Sequence, residues 1–497
     1  MLRNFLILSI LVILICPAGA LAAGGSPLVL SYAGGTGTGN SDSKFVENVW
    51  SYTYQYHVLV LTGDTPQGRL FSQLQFEERD RFSGLAYAKL ALSGSTYSVD
   101  FGDNVINFSD ITLNGVGYQG AAITLKPSSS YNFTVVGGSK GEGLWGADVR
   151  RDSREKDTFT GIRANIYPVS GLGLNATYLT SPIGIQVLGY GGEYLWNDIK
   201  LNSEYGSGND GKAYRGEIKY QNGFLSLGTI YRDVDTTYAV PMDYLSYKGA
   251  KGTYTTLGIR PSNDLSINVQ SDSYIDRLNS DPEMTINDNR GDVMYNMPTG
   301  TSIGYSGWKN DRSAQERGGI TEGEMMYITQ QFYLFTRNAI YYRLQPTWFT
   351  SLTTSEESYE EEKNIAGINI ALFDFMHLNY EIENTTKLFT NTDITINPTA
   401  MTARLDLFET PIFGLPLYLS SSANYRRDMA DSGETSLEST ALYEDVTLRY
   451  KPSSDFSCYI TGKFYNATAP DAARATREQK DLSFGLNYTF NTLVFLK

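Results

Sequence analysis

From about Val46 to the C-terminus the chain repeats one pattern, roughly 9 to 14 residues of alternating apolar and polar character followed by a break. In DLSFGLNYTF, Leu482, Phe484, Leu486, Tyr488 and Phe490 oppose Ser483, Gly485, Asn487 and Thr489. In AYRGEIKYQ, Tyr214, Gly216, Ile218 and Tyr220 oppose Arg215, Glu217, Lys219 and Gln221. FTGIRANIY, MHLNYEI and LSINVQ read the same way. Side chains on a strand alternate between its two faces, so each stretch makes a strand with one greasy face and one wet face.

The breaks sort into two kinds. Short ones reuse one chemistry: Lys126-Pro127-Ser128-Ser129, Arg260-Pro261-Ser262-Asn263-Asp264, Lys451-Pro452-Ser453-Ser454-Asp455 and the variants Tyr167-Pro168-Val169-Ser170-Gly171 and Met297-Pro298-Thr299-Gly300. Proline presets φ for a tight turn, and Ser, Asn, Asp or Gly completes it. Trp196-Asn197-Asp198 and Gln221-Asn222-Gly223 are compact turns too. Long, polar breaks lie at 139–157, 234–250, 308–319, 351–364, 427–438 and 467–480. Alternating tight turns and long loops predict an all-β, transmembrane, antiparallel up-and-down β-barrel over 46–497. At about 20 residues per strand with its share of connections, it has about 22 strands, within 20–24. A soluble sandwich also alternates, but it does not sort its connections into two lengths. Tyr167, Tyr220, Tyr231, Tyr450 and Tyr488 at strand ends suit aromatic girdles at the headgroup level.

Composition excludes other classes. With 36 Tyr and 23 Phe the chain is not a disordered segment, and with two Cys it is not a disulfide scaffold. No apolar run long enough for a membrane helix follows residue 30. A net charge of −14 disfavours nucleic acid as a partner, because phosphate contacts need clustered Lys and Arg. Residues 1–22 read as a cleavable signal peptide: a basic start at Arg3, an apolar run from Phe5 to Cys16, and a small-x-small site at Ala20-Leu21-Ala22. Cleavage leaves Cys458 as the single thiol. Residues 23–45, rich in Gly and Ser, read as a flexible N-terminal segment.

On these residues the chain resembles the Gram-negative outer-membrane β-barrels, the large porin-like and uncharacterised group in general. The likeness covers essentially the whole mature chain and is one of pattern. One stretch is more particular: Gly102-Asp103, then Phe108-Ser109-Asp110-Ile111-Thr112-Leu113-Asn114-Gly115, then Gly120-Ala121. It reads as a strand, a turn and a second strand, its glycines allowing a kink or close packing against a lumen element. The resemblance implies the outer membrane, contact with its lipid and lipopolysaccharide, and insertion by the barrel assembly machinery. Periplasmic partners are compatible with it. The family ends on an aromatic residue in its last strand. Here Phe490 ends the alternation and Phe495 stands as a displaced signal.

The wet faces offer lumen-facing candidates: Arg163, Arg215, Glu217, Lys219, His377, Glu381, Arg449 and Lys463. The acidic run Glu356, Glu357, Glu360, Glu361 and Glu362 offers hard oxygen ligands for a divalent cation, or a solvated acidic loop. Two histidines cannot build a three-His metal site, and neither His57 nor His377 has a Ser and Asp spaced as a triad. His57 reads as a lumen or sheet residue. No catalytic residue, metal or cofactor is expected. Loops 139–157 and 234–250, the second with Tyr238, Tyr244 and Tyr247, are candidates to fold inward. These features predict a channel or porin passing small polar solutes through a water-filled lumen. The alternatives are an export conduit for a polymer such as an exopolysaccharide, and a structural or adhesive surface barrel.

Overall fold

The structure is a computed structural model. It describes residues 28–43, 46–65, 67–79, 82–140, 158–241, 248–278, 283–314, 317–334, 336–354, 357–412, 414–431, 436–468 and 477–494. Residues 1–22, which the sequence reads as a signal peptide, Phe495 and most of 139–157 lie outside them.

Among the described residues 27 strands follow one another in chain order, from β1 (Leu28–Ser43) to β27 (Arg477–Val494), and every pairing between them is antiparallel. One of them, β22 (Ile394–Ile396), is a three-residue piece that continues the line of β23 (Thr399–Pro411) on β21 (Met376–Phe389). The wall therefore has 26 staves. The sheet closes where β1 pairs with β27 without a register break, from Leu28 opposite Val494 to Ser43 opposite Gln479.

Two expectations need correction. Residues 28–43, read as a flexible tail, form β1 and complete the wall. The stave count is 26, not about 22, because residues 28–494 need only about 18 residues per stave. Outer connections are shorter than their polar composition suggests. Within 308–319, for example, strand continues to Ala314 and resumes at Arg317. Polar residues there extend the hairpins instead of looping.

The tight turns at 129–130, 170–171, 197–198, 222–224, 260–264, 297–300 and 454–455 all fall at one end of the barrel. The long breaks fall at the other. Asn197 adopts φ +51° in its two-residue turn, a conformation that asparagine tolerates. Apolar side chains such as Phe101, Ile162, Ile218, Val269 and Phe484 point outward and stay exposed, so the greasy face is the outside. Tyr220, Tyr231, Tyr450 and Tyr488 share that outward face with their strands' apolar residues. Tyr167 does not: it has the parity of Arg163 and Asn165 and faces the lumen.

The seam is covered from both sides by aromatics lying over glycine. On the inside, Tyr54 of β2 (Val46–Thr65) and Tyr459 of β26 (Phe456–Thr468) lie over Gly37 and Gly485 and join hydroxyl to hydroxyl. Tyr56 donates to Asn487 Oδ1 at 3.1 Å. On the outside, the Tyr32 hydroxyl lies 2.8 Å from His57 Nδ1 and 3.3 Å from the Tyr488 hydroxyl. His57 is thus on the outward face. Side chains at the glycine positions would occupy the ring sites. Gly37→Leu is expected to destabilise the barrel by about 1–3 kcal/mol through overpacking. It should also lower the fraction that runs as the compact, heat-modifiable species on denaturing gels. Tyr54→Phe, which removes one hydroxyl contact, should cost about 1 kcal/mol or less. Equal losses in the two variants would refute packing over glycine as what secures the seam.

Candidate functional site

Hairpin β5 (Tyr97–Asn107) and β6 (Asn114–Ser128) leaves the wall. β5 pairs with β4 (Phe82–Ser93) only between Ser98 opposite Ser93 and Gly102 opposite Lys89. Gly102 has φ +103°, and a Cβ there would collide with the Ala88 carbonyl, so the bend requires glycine. Beyond it the hairpin leans sideways over the inner wall. Phe108 lies 3.2 Å from where a Cβ on Gly161 would stand, the Thr112 methyl 3.2 Å from that of Gly189, and Ile111 3.3 Å from that of Gly206. Three inward glycines on β8 (Thr158–Val169), β10 (Gln186–Trp196) and β11 (Ile199–Gly208) thus form the shelf on which the turn rests. The turn is closed by Phe108 N–H donating to Leu113 O at 2.7 Å and by the Ser109 and Thr112 hydroxyls, 2.8 Å apart.

This inward latch is dry on one side and ionic on the other. Ile106, Phe108, Ile111, Leu113, Val116 and Tyr118 of the hairpin pack with Val136, Phe159, Leu179 and Val187 of the wall. Leu113, Phe159 and Leu179 are fully buried, each worth about 1.5–3 kcal/mol. The connection after β13 (Leu225–Val234) folds in as well. Tyr238 is wholly buried and donates its hydroxyl to Ile111 O at 2.9 Å, with Val240 packed beside it. Burial, helped by the Glu204 carboxylate, pushes the Tyr238 hydroxyl pKa up. On the polar side Arg215 reaches Asp110 at 3.1 Å and Glu217 at 3.0 Å, and Glu204 is buried beside them.

All eight lumen-facing candidates project from the inward face of their strands, but the structure does not gather them into one site. Arg163 lies over the Phe108 ring at 5.9 Å, and Arg215 and Glu217 hold the latch, with Lys219 paired to Glu217. Across the lumen Glu381 receives the Tyr341 hydroxyl at 2.6 Å and Arg343 at 3.0 Å. His377 packs edge-on against Phe408, Arg449 pairs with Glu409 at 2.7 Å, and Lys463 lies 3.8 Å from Asp445. The acidic run is dispersed. Glu361 faces inward between Lys363 (3.3 Å) and Lys387 (3.9 Å), while Glu360 and Glu362 have the opposite parity. Glu357 sits in the loop, and Glu356 lies outside the described residues. Among the described residues no group of acids, His and Cys is placed to hold a metal. Glu204 and the Arg232–Asp272 pair (2.7 Å) were not singled out by sequence, although Glu204 alternates with Asn202 and Gly206 on a wet face.

No protein family matches this chain, and no curated protein matches it. Among solved structures it is similar to the translocation pore of the P pilus usher PapC (12% identity, 94% of this chain and 99% of that one, TM-score 0.34). It is also similar to Pseudomonas aeruginosa OpdQ (11%, 94% and 99%, 0.30) and to the outer membrane protein OprD of the same organism (9%, 96% and 97%, 0.30). At such TM-scores the likenesses carry no weight, and what the barrel does is argued from its own geometry.

Tyr238→Phe is expected to leave the buried Ile111 carbonyl short of a donor and cost about 1–3 kcal/mol of latch stability. Leu113→Ala should cost about 2–5 kcal/mol. Both are read as faster amide exchange over 103–117 with the rest of the wall unchanged. A hydroxyl whose pKa is raised on folding stabilises the native state below its ordinary pKa and loses that contribution as pH rises past it. Exchange over the same segment should therefore accelerate on the alkaline side of the ordinary tyrosine range, and should do so less in Tyr238→Phe.

Proposed function

We propose that the protein is an outer-membrane channel that carries polar solutes through a water-filled lumen. One observation carries this reading: around a closed wall, apolar side chains face out and charged or amide side chains face in. The outer face suits membrane lipid and lipopolysaccharide, and a barrel of this kind is inserted by the assembly machinery of that membrane. Inward charges neutralise one another in pairs, as in Arg232–Asp272, Arg343–Glu381 and Arg449–Glu409. Such a lining discriminates weakly between ions.

Stave number favours large cargo, the conduit for a polymer. Barrels of 16–18 strands already leave an aqueous channel. A circular barrel of 26 strands, tilted about 40° and spaced about 4.8 Å, measures roughly 50 Å between opposing backbones. Among the described residues the latch lies along one side of the lumen and narrows that width there.

The test is conductance of the mature chain in a planar bilayer with polyethylene glycols of increasing size. The expected outcome is a steady, weakly selective conductance that is still lowered by polymers excluded from 16–18-stranded porins. Replacing 109–112 by two glycines should raise it. Permanent closure would favour a surface-adhesive barrel, and size exclusion at the porin limit would rule out the polymer reading.

A further inference from the structure

The bend at Gly102 has a second effect. β4 is paired with β3 (Gly68–Arg79) up to Phe82 opposite Arg79. On its other side pairing stops at Lys89. Among the described residues the edge of β4 from 82 to 88 therefore has no strand beside it. That edge begins five residues above the turn at 94–96. At about 3.3 Å per residue and a tilt of about 40°, it runs from about 13 to about 28 Å above that turn, in the outer half of an apolar band about 25 Å tall. A free edge at that depth persists only where protein or water satisfies it. Both are present. Asp103 Oδ2 accepts the Ala88 N–H at 2.6 Å, taking the place of a ladder carbonyl, and Asp103 Oδ1 accepts from Gln119 at 3.0 Å. Directly inside lies a recess of about 650 Å³, bordered by Tyr87 and Lys89 of β4, Val105 of the bent hairpin and Arg163 of β8, with the Asp100 and Asp103 carboxylates also in its lining.

The recess has two characters. Arg163 donates through Nε to Asn165 at 2.8 Å and lines the recess, as does Lys89. A guanidinium and an ammonium in one recess offer donors to a carboxylate or phosphate oxygen. Tyr87 and Val105, the latter 60% exposed, add apolar surface to the same lining as the Asp103 carboxylate. We propose that the gap between β4 and the bent β5 is a lateral portal, through which a single-chain amphipathic molecule with an anionic head passes between the lumenal recess and the outer leaflet. The head sits on Arg163, and the hydrocarbon chain leaves past Val105. The proposal rests on the barrel spanning the membrane, and the controls below test that separately.

The experiment uses full-length mature protein in lipid nanodiscs, with Cys458→Ser as background and a nitroxide at Val105→Cys, Ile162→Cys or Thr402→Cys. Relaxation is measured with oxygen, which reports lipid, and with a water-soluble nickel chelate. Ile162, on the paired outer wall, should respond to oxygen alone, and lumenal Thr402 to nickel alone. At Val105 both should act. A response there to only one of them overturns the portal. If Ile162 gives no oxygen response, the membrane-spanning reading itself fails. Should Val105→Cys not assemble, Gly117→Cys takes the label, since a Cβ there meets nothing within 4 Å. For the head, dansyl-labelled undecanoic acid is titrated against the same protein. Saturable binding is expected, weakened at least about tenfold in Arg163→Gln, the worth of one charge-assisted hydrogen bond. Unchanged affinity in that variant, or no saturable binding to the wild type, overturns the assignment of the head.

Discussion

A peptide group left unpaired in hydrocarbon costs several kcal/mol, and a sheet escapes that penalty at its margins only by closing on itself. Most of this structure follows from that demand. The wall needs a last partner for its first strand, and β27 supplies one along the full length of β1. Glycines at Gly37 and Gly485 let tyrosines from the flanking strands lie flat across the join. From Ala33 to Gly39, β1 thus carries little side-chain bulk of its own and is covered by its neighbours' rings. Where the demand goes unmet, beside the upper half of β4, a carboxylate takes the place of one ladder acceptor.

The inward latch solves a different problem. A barrel interior without a core of its own gives apolar side chains nothing to bury against, yet Phe159, Leu179 and Val187 point into it. They are covered because the hairpin brings its own apolar face, and Tyr238 seals the layer from above. Its ionic contact, Asp110–Arg215, orients the turn with less screening than a surface pair, since Arg215 is mostly withdrawn from water.

Much of this was legible in the residues. Alternation assigned Arg163, Arg215 and Glu381 to the wet face, and proline-initiated turns marked one end of the barrel, because both signals are local and periodic. The stretch from Gly102 to Ala121 announced a kink and a lumen contact through its glycines. Three things were not legible. Residues 28–43 are too rich in Gly and Ser to look like a strand, yet two flanking strands impose that conformation; tertiary context outweighs propensity here. The count of 26 depends on connection lengths that polar composition overstates. Which lumenal charges meet depends on register between strands far apart in the chain, as with Arg215 and Asp110, and period-two patterning holds no record of it.

The seam also sets the order in which the molecule can be made. β1 and β27 join residues 436 to 466 positions apart, so the first stave to be synthesised waits for the last. Until then the growing sheet is held by neighbouring hairpins alone, and its two margins are open to other chains. Bringing distant ends together is entropically costly. Final closure is therefore the slow, committing step of assembly, and the nearly complete ribbon is the species most in need of shelter.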